Sequence, residues 1–468
     1  YIKTSNPVSD NLNIHSNKVN VSGGGLFMLG TYNNYCSPQI TNVIFHNNQS
    51  FSYGGGIYIN NYTSPTFTNV TISNNETIQG GSRGGGIYIT SSTNTTFTNL
   101  TVTNNDAEGN GGGIYCQSCN ATFDTLAVLD NESDSDVGGI FITGSSSSIV
   151  INNATISGNT AKYNVGGMRI SSGAKPVLTN ITVTGNSAGT SYDGGGIYIT
   201  DNNTDPTFTN LTVAGNSAGY GGGISIRDYA KPTFTGVTIS NNTASNYGGG
   251  IYMYSLVGPV FTNVRIYNNT ASNYGGGIYT QRKSNPEFDH LTAFGNYAAN
   301  SGGFLYSNPD DDEDGCKHTI KNSILWNNLP QEIYIVEYSG TEDTDWIDTQ
   351  LNISYSNIQF GQERFITSKT TVNWGDGNID SDPLFCDFEN GDFTLGQNSP
   401  SYGTGETGSN MGAEAGSGCA SGVEGPYRGP VWYVAPTGTD NSGFGAADTP
   451  YKTIQYAIDQ LYSASYDW

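Results

Sequence analysis

The chain has 468 residues, a formal net charge of −23 at pH 7, 63 glycines, 31 tyrosines and 12% charged residues. That acidic balance argues against nucleic acid or an anionic membrane surface as a partner. No run of eighteen apolar residues is present, so no membrane insertion by a helix is expected. There is no signal peptide and no initiating Met, and Tyr1 reads as the start of a processed or trimmed chain.

From the N-terminus onward, a glycine cluster followed by a bulky apolar residue recurs eleven times. The last glycines are Gly25, Gly56, Gly86, Gly113, Gly139, Gly167, Gly196, Gly223, Gly250, Gly277 and Gly303, at intervals of 26 to 31 residues. A period of this size marks stacked coils, each burying its apolar face against its neighbours. After each cluster the first and third residues are apolar, as in Ile57 and Ile59 or Ile224 and Ile226, and this alternation predicts a strand. Phe304 and Tyr306 take these inward places in the last copy. A second strand follows, as in Phe67-Thr-Asn-Val70-Thr-Ile72, with Val70 and Ile72 inward and Thr71 outward. Glycine and Asn/Ser/Thr turns leave no room for a helix in any repeat. The expected fold is all-β, with eleven regular coils at about 4.8 Å each, a rod roughly 50 Å long.

Eight residues after the Phe67 position stands an invariant asparagine: Asn48, Asn75, Asn105, Asn131, Asn159, Asn186, Asn216, Asn242, Asn269 and Asn296. A stacked asparagine can bond the copies above and below and tolerates left-handed turns. An internal ladder is expected there. The outward position between the two inward columns holds Phe27, Tyr58, Tyr88, Tyr115, Phe141, Tyr198, Tyr252 and Tyr279, interrupted by Arg169 and Ser225. It reads as an exposed aromatic stripe, either bracing the coils or offering ring faces to sugars or a partner. A second outward stripe is Thr71, Thr101, Thr155, Thr182, Thr212, Thr238 and Thr292, broken by Ala127 and Arg265.

Sixteen Asn-x-Ser/Thr sequons occur. Asn48, Asn75 and Asn131 belong to the ladder and should be blocked. Asn61, Asn94, Asn120 and Asn202 lie in turns before the second strand and, with Asn352, are the glycosylation candidates. Cys386 and Cys419 sit in a glycine-rich terminal region, where a disulfide is favoured. Cys119 is near enough to bridge to Cys116, which could equally be a buried thiol, whereas Cys36 and Cys316 have no obvious partner. In Asp310-Asp311-Asp312-Glu313-Asp314-Gly315 the alternate carboxylates Asp310, Asp312 and Asp314 fit a calcium loop, though Lys321 at the twelfth position excludes an EF-hand. The competing reading is a solvated acidic loop, and calcium is the one cofactor in view.

These repeats resemble right-handed parallel β-helix proteins of the pectate-lyase-like superfamily. They look most like polymorphic outer-membrane-protein repeats: Asn242-Thr-Ala244 precedes Gly248-Gly-Gly-Ile251, and Asn269-Thr-Ala271 precedes Gly275-Gly-Gly-Ile278. Asn322-Ser-Ile-Leu-Trp-Asn327, Asp382-Pro-Leu-Phe385 and Asp392-Phe-Thr-Leu395 look like the closing coils of secreted β-helix surface proteins. The resemblance divides the chain into regular coils at 1–303, closing coils at 304–400, a glycine-rich region at 401–430, and a segment at 431–468 that looks like the opening of such a β-helix. That last segment carries Trp432, Tyr433, Ile454, Ile458 and Leu461, the expected assembly residues. Either the chain is a slice of a tandem array, or its tail caps the first coil of the next copy, a non-closing contact that makes a filament.

Enzymes of the superfamily use clustered carboxylates with a basic residue. Asn203-Thr-Asp205 matches one element of the polygalacturonase pattern, but Gly-His-Gly is absent. His15, His46, His290 and His318 stand alone, and no outward column is expected to stack Asp with Arg or Lys. Catalysis is therefore not expected. The expected function is an extracellular, adhesin-like structural glycoprotein that self-associates head to tail and could meet glycans of a cell surface. A carbohydrate-active or polysaccharide-binding β-helix is the alternative, and an ice-binding solenoid, suggested by the threonine stripe, is a distant third.

Overall fold

The computed structural model describes residues 1–91, 94–309, 315–336, 349–368, 370–413, 417–422, 434–439, 450–454 and 456. The chain winds into a parallel β-solenoid with three faces. Sheet A has fourteen strands, one per level, from Ile2–Lys3 through Leu26–Leu29 to Ile366–Thr367. Sheet B carries the longer strands, such as Thr66–Ser73 and Thr207–Ala214. Sheet C carries short ones in two blocks, of six and four strands, joined through bridges from Thr160 to Ser187 and Ser187 to Ser217. The eleven glycine-led coils are thus the middle of a longer stack, with one level before them and two after. The added levels escape the periodic pattern because they lack the glycine cluster.

The register follows the alternation. Ile57, Tyr58 and Ile59 pair with Ile87, Tyr88 and Ile89, and Ile114, Tyr115 and Cys116 continue the columns. Inward residues form one continuous core in which Phe67, Phe97 and Phe123 stack at 4.7 and 4.9 Å. Each such buried side chain contributes about 1.5–3 kcal/mol. The last glycine-led coil is shifted by one residue: Ile278 pairs with Leu305 and Tyr279 with Tyr306. Phe304 therefore occupies the third-glycine place, and Tyr306 joins the outward column, contrary to expectation.

Sterics explain the cluster. Gly54 has φ +61°, where a Cβ is strained, and a Cβ on Gly56 would meet the Gly86 carbonyl oxygen at 2.7 Å, Ile72 Cγ2 at 2.8 Å and Asn75 Nδ2 at 3.1 Å. Glycine is required because the turn packs directly on the asparagine column.

Beyond Leu305 the stack continues through Lys317–Lys321, Ile324–Trp326, Thr349–Ser354 and Thr370–Trp374. The chain then turns back over the outer face of sheet B. Phe385–Asp387 pairs antiparallel with Asp392–Gly396, which pairs in parallel with Ser417–Cys419. Phe385, Phe393, Leu395 and Met411 pack on Phe294, Ile324 and Trp326. Residues 401–413 thus belong to a packed layer, with the Ala413 N–H donating to Thr292 Oγ1 at 3.0 Å. Further on, Val434 bridges to Tyr451, and Ile454 and Tyr456 are helical.

Candidate functional site

The asparagine column is a continuous hydrogen-bonded ladder. Asn75 Oδ1 accepts from the backbone N–H and the Nδ2 of Asn48 at 3.0 and 2.9 Å, while Asn75 Nδ2 donates to Asn105 Oδ1 at 2.9 Å and to the Phe45 carbonyl at 3.0 Å. Both amide hydrogens are used, as burial demands. The same pattern runs through Asn131, Asn159, Asn186, Asn216, Asn242, Asn269 and Asn296. The left-handed residue is the one before each rung, such as Asn47 or Asn74, rather than the rung itself. Two rungs were missed: Asn17 donates to Asn48, and Asn296 to Asn328. The offset of eight from the inward residue, Ile320 to Asn328, would have found the second. The ladder ends on Glu332, whose carboxylate accepts from Asn328 N at 3.2 Å and Asn328 Nδ2 at 2.6 Å. No sequence signal marks that residue.

A second ladder was also missed. Asn69 donates to Asn42 at 3.1 Å, Asn99 to Asn69 at 2.9 Å, Asn180 to Asn153 at 3.0 Å and Asn210 to Asn180 at 3.0 Å, on exposed left-handed bulges of sheet B. Its signal is the repeated Asn two residues after the inward Phe. Its amides donate toward the N-terminus, opposite to the inner ladder. Asn69, Asn99, Asn153, Asn180 and Asn210 are sequons whose Nδ2 a glycan would need. Of the glycosylation candidates, Asn61, Asn94 and Asn202 are exposed. Asn120 is half-buried and accepts from Ser148 N, and Asn352 Nδ2 donates to the His318 carbonyl at 3.3 Å.

The aromatic stripe points away from the coil but is not exposed. Tyr88, Tyr115, Tyr198, Tyr252 and Tyr279 are 3–8% accessible, and Tyr58 is half-buried. The cause is a second layer supplied by the residue before each glycine cluster. Tyr53 stacks on Tyr88 at 4.9 Å, Tyr247 on Tyr279 at 4.8 Å and Tyr274 on Tyr306 at 4.4 Å. The breaks are filled as well. The Arg169 guanidinium lies 5.0 Å from the Phe141 ring and 5.2 Å from that of Tyr198. Beside Ser225, Arg227 covers Tyr252 and Tyr254 and pairs with Asp193 at 2.8 Å. Burial pushes the Tyr58 hydroxyl up to about 12 and raises the Asp193 carboxyl against the pull of Arg227. Tyr58 and Tyr88 lie 5.4 Å apart and 3° from parallel, so their faces are spent on each other. A sugar would find ring edges here.

The threonine stripe is graded: Thr155 is exposed, Thr71, Thr101, Thr182, Thr212 and Thr238 are half-buried, and Thr292 lies beneath the C-terminal layer. On sheet C, Glu76, Asp106 and Glu132 stack in register. Burial, then Glu132, Asp134, Glu76 and Glu108, push Asp106 up to about 6. Among the described residues no group of three or more His, Cys, Asp or Glu is arranged to hold a metal. The loop with Asp310, Asp312 and Asp314 lies outside the described residues, as do Trp432, Tyr433, Ile458 and Leu461, while Ile454 is exposed. Cys116 bonds Cys119 and Cys386 bonds Cys419, both with Cα atoms 5.8 Å apart, and Cys36 and Cys316 are buried thiols.

Cross-coil ion pairs exist where none were expected. Asp205 pairs with Lys175 at 2.7 Å, and in the outward column of sheet B Asp289 stands beside Lys321, 3.4 Å away. His290 Nδ1 lies 2.9 Å from Asp289, and Asn322 donates to the same carboxylate at 2.9 Å. The insertion at 310–314 hid this pairing from a periodic reading. Asp289, His290 and Lys321 make a partly exposed acid–base cluster at the edge of the C-terminal layer.

No curated protein matches the chain. The model for the family described as the right handed beta helix region matches residues 9–210 and 195–359. With most of the chain covered, and with the parallel solenoid built by the same residues, the chain belongs to the right-handed β-helix family.

Proposed function

We propose that the chain is an extracellular, adhesin-like structural glycoprotein, either a slice or a protomer of a head-to-tail fibre or surface appendage. One observation carries this reading: the polar and aromatic columns bond along the rod axis, coil to coil. Both asparagine ladders and the stacked tyrosines spend their groups on length and stiffness rather than on a ligand. At the first level Ile2 and Ile14, in the inward columns of Met28 and Phe45, are only half-buried, an apolar end that a further coil of a longer chain or another copy would cover. Light scattering of the full chain and of a chain lacking residues 431–468 tests the capping form. Concentration-dependent growth of the full chain alone supports it, and a monodisperse monomer in both overturns it.

A carbohydrate-active enzyme is the second reading, favoured by the Asp289–His290–Lys321 cluster. A glycosidase of the usual kind needs two carboxylates flanking the bond, and Asp289 supplies one. Reducing-end release from an acidic and a neutral polysaccharide, abolished by Asp289→Asn, would establish it. No release from either substrate would remove it.

A further inference from the structure

We propose that His15 and His46 form a two-imidazole site for a borderline divalent transition ion such as Ni²⁺ or Zn²⁺. Neither histidine stands alone in the fold. Asn13–His15 pairs in parallel with Gln39–His46, and the register sets His15 directly beside His46. Alternation puts both on the outer face, because Ile14 and Phe45 turn inward. The rings stack with centroids 4.9 Å apart and planes 16° from parallel.

The decisive feature is what holds each ring. His15 Nδ1 is 3.1 Å from Ser16 Oγ, and His46 Nδ1 is 3.0 Å from Asn47 Nδ2. In each case the following residue meets Nδ1, and Nε2 can bind a ligand once Nδ1 carries the proton. Ser16 can accept from Nδ1–H, and Asn47 does so once its exposed amide rotates to bring Oδ1 to the ring in place of Nδ2. Anchoring one ring nitrogen while the other binds is how protein imidazoles ligate metals. A metal–nitrogen bond of about 2.0–2.1 Å needs the rings to turn out of the stack until both Nε2 lone pairs aim at one point, a rotation for which the exposed His15 ring has room. Water would complete the shell. Imidazole selects Zn²⁺, Ni²⁺ and Cu²⁺ over the hard ions that carboxylates prefer, which separates this site from the general cation attraction of a chain with charge −23.

The test is calorimetric titration of the untagged full chain with NiCl₂ in excess MgCl₂. One Ni²⁺ per chain is expected. His15→Ala and His46→Ala should each weaken binding at least about tenfold, and Asn47→Asp, a full acceptor for Nδ1–H, should tighten it by about tenfold. Both histidines face solvent, so neither variant threatens the fold. Ni²⁺ binding that survives His46→Ala, or that Mg²⁺ displaces, would show diffuse carboxylate binding and overturn the assignment.

Discussion

Glu332→Gln tests how the inner ladder ends. The carboxyl is buried and accepts from both nitrogens of Asn328. Burial pushes it up to about 8, although the Asn328 bonds and Arg364 pull it down. The folded chain therefore holds this proton more tightly than the unfolded chain does. Its contribution is complete below the ordinary value of 4.5 and is lost as pH rises through about 8. Each pH unit in that window is worth about 1.4 kcal/mol, so the loss reaches about 4–5 kcal/mol. Gln keeps the shape and does not titrate. Urea unfolding of the last coils, with exchange of the Asn328 amide hydrogen, should show the wild-type chain losing stability from about pH 5 to about pH 8 relative to the variant. Parallel profiles for the two chains would refute the reasoning.

The other predictions concern buried and stacked polar groups. His318 is buried, and burial pushes it down to about 4, so its contribution is present above 6.5 and lost as pH falls through about 4. His318→Leu should gain about 3 kcal/mol over wild type near pH 4 and much less at neutral pH, read from urea midpoints. Asn159→Ala leaves the Asn131 amide without its acceptor and should cost about 2–4 kcal/mol. Asn210→Ala on the exposed ladder should cost under about 1 kcal/mol; equal costs in denaturant titrations would contradict the distinction. Asp106 holds its proton to about 6, so its contribution is lost as pH rises through that value. After discounting for its partial exposure, Asp106→Asn should stabilise by about 1 kcal/mol at neutral pH, and the gain should vanish below about pH 4.

What the sequence shows of this fold is what sterics repeat. Gly56 must be glycine because its neighbours are a carbonyl and an asparagine amide, and that demand recurs in almost every coil. Two inward columns and ten rungs are therefore plain to read. The burial of Tyr252 and Tyr279 is not, because alternation says only that a side chain leaves the coil. What covers it comes from the residue ahead of the glycine cluster one coil earlier, and in places from an arginine two residues beyond the gap. Glu332 and the pairing of Asp289 with Lys321 lie where an insertion breaks the period, so the neighbour across the coil is no longer a fixed distance away in sequence. A single carboxylate that replaces an amide leaves no trace in a repeat pattern.

Fibre diffraction from aligned assemblies of the full chain tests the structural account most directly. Strands cross the rod axis and stack along it, so end-to-end assembly predicts a strong reflection at about 4.8 Å along the fibre axis. A chain that yields no fibres, or fibres whose 4.8 Å reflection lies across the axis, would contradict a head-to-tail structural role.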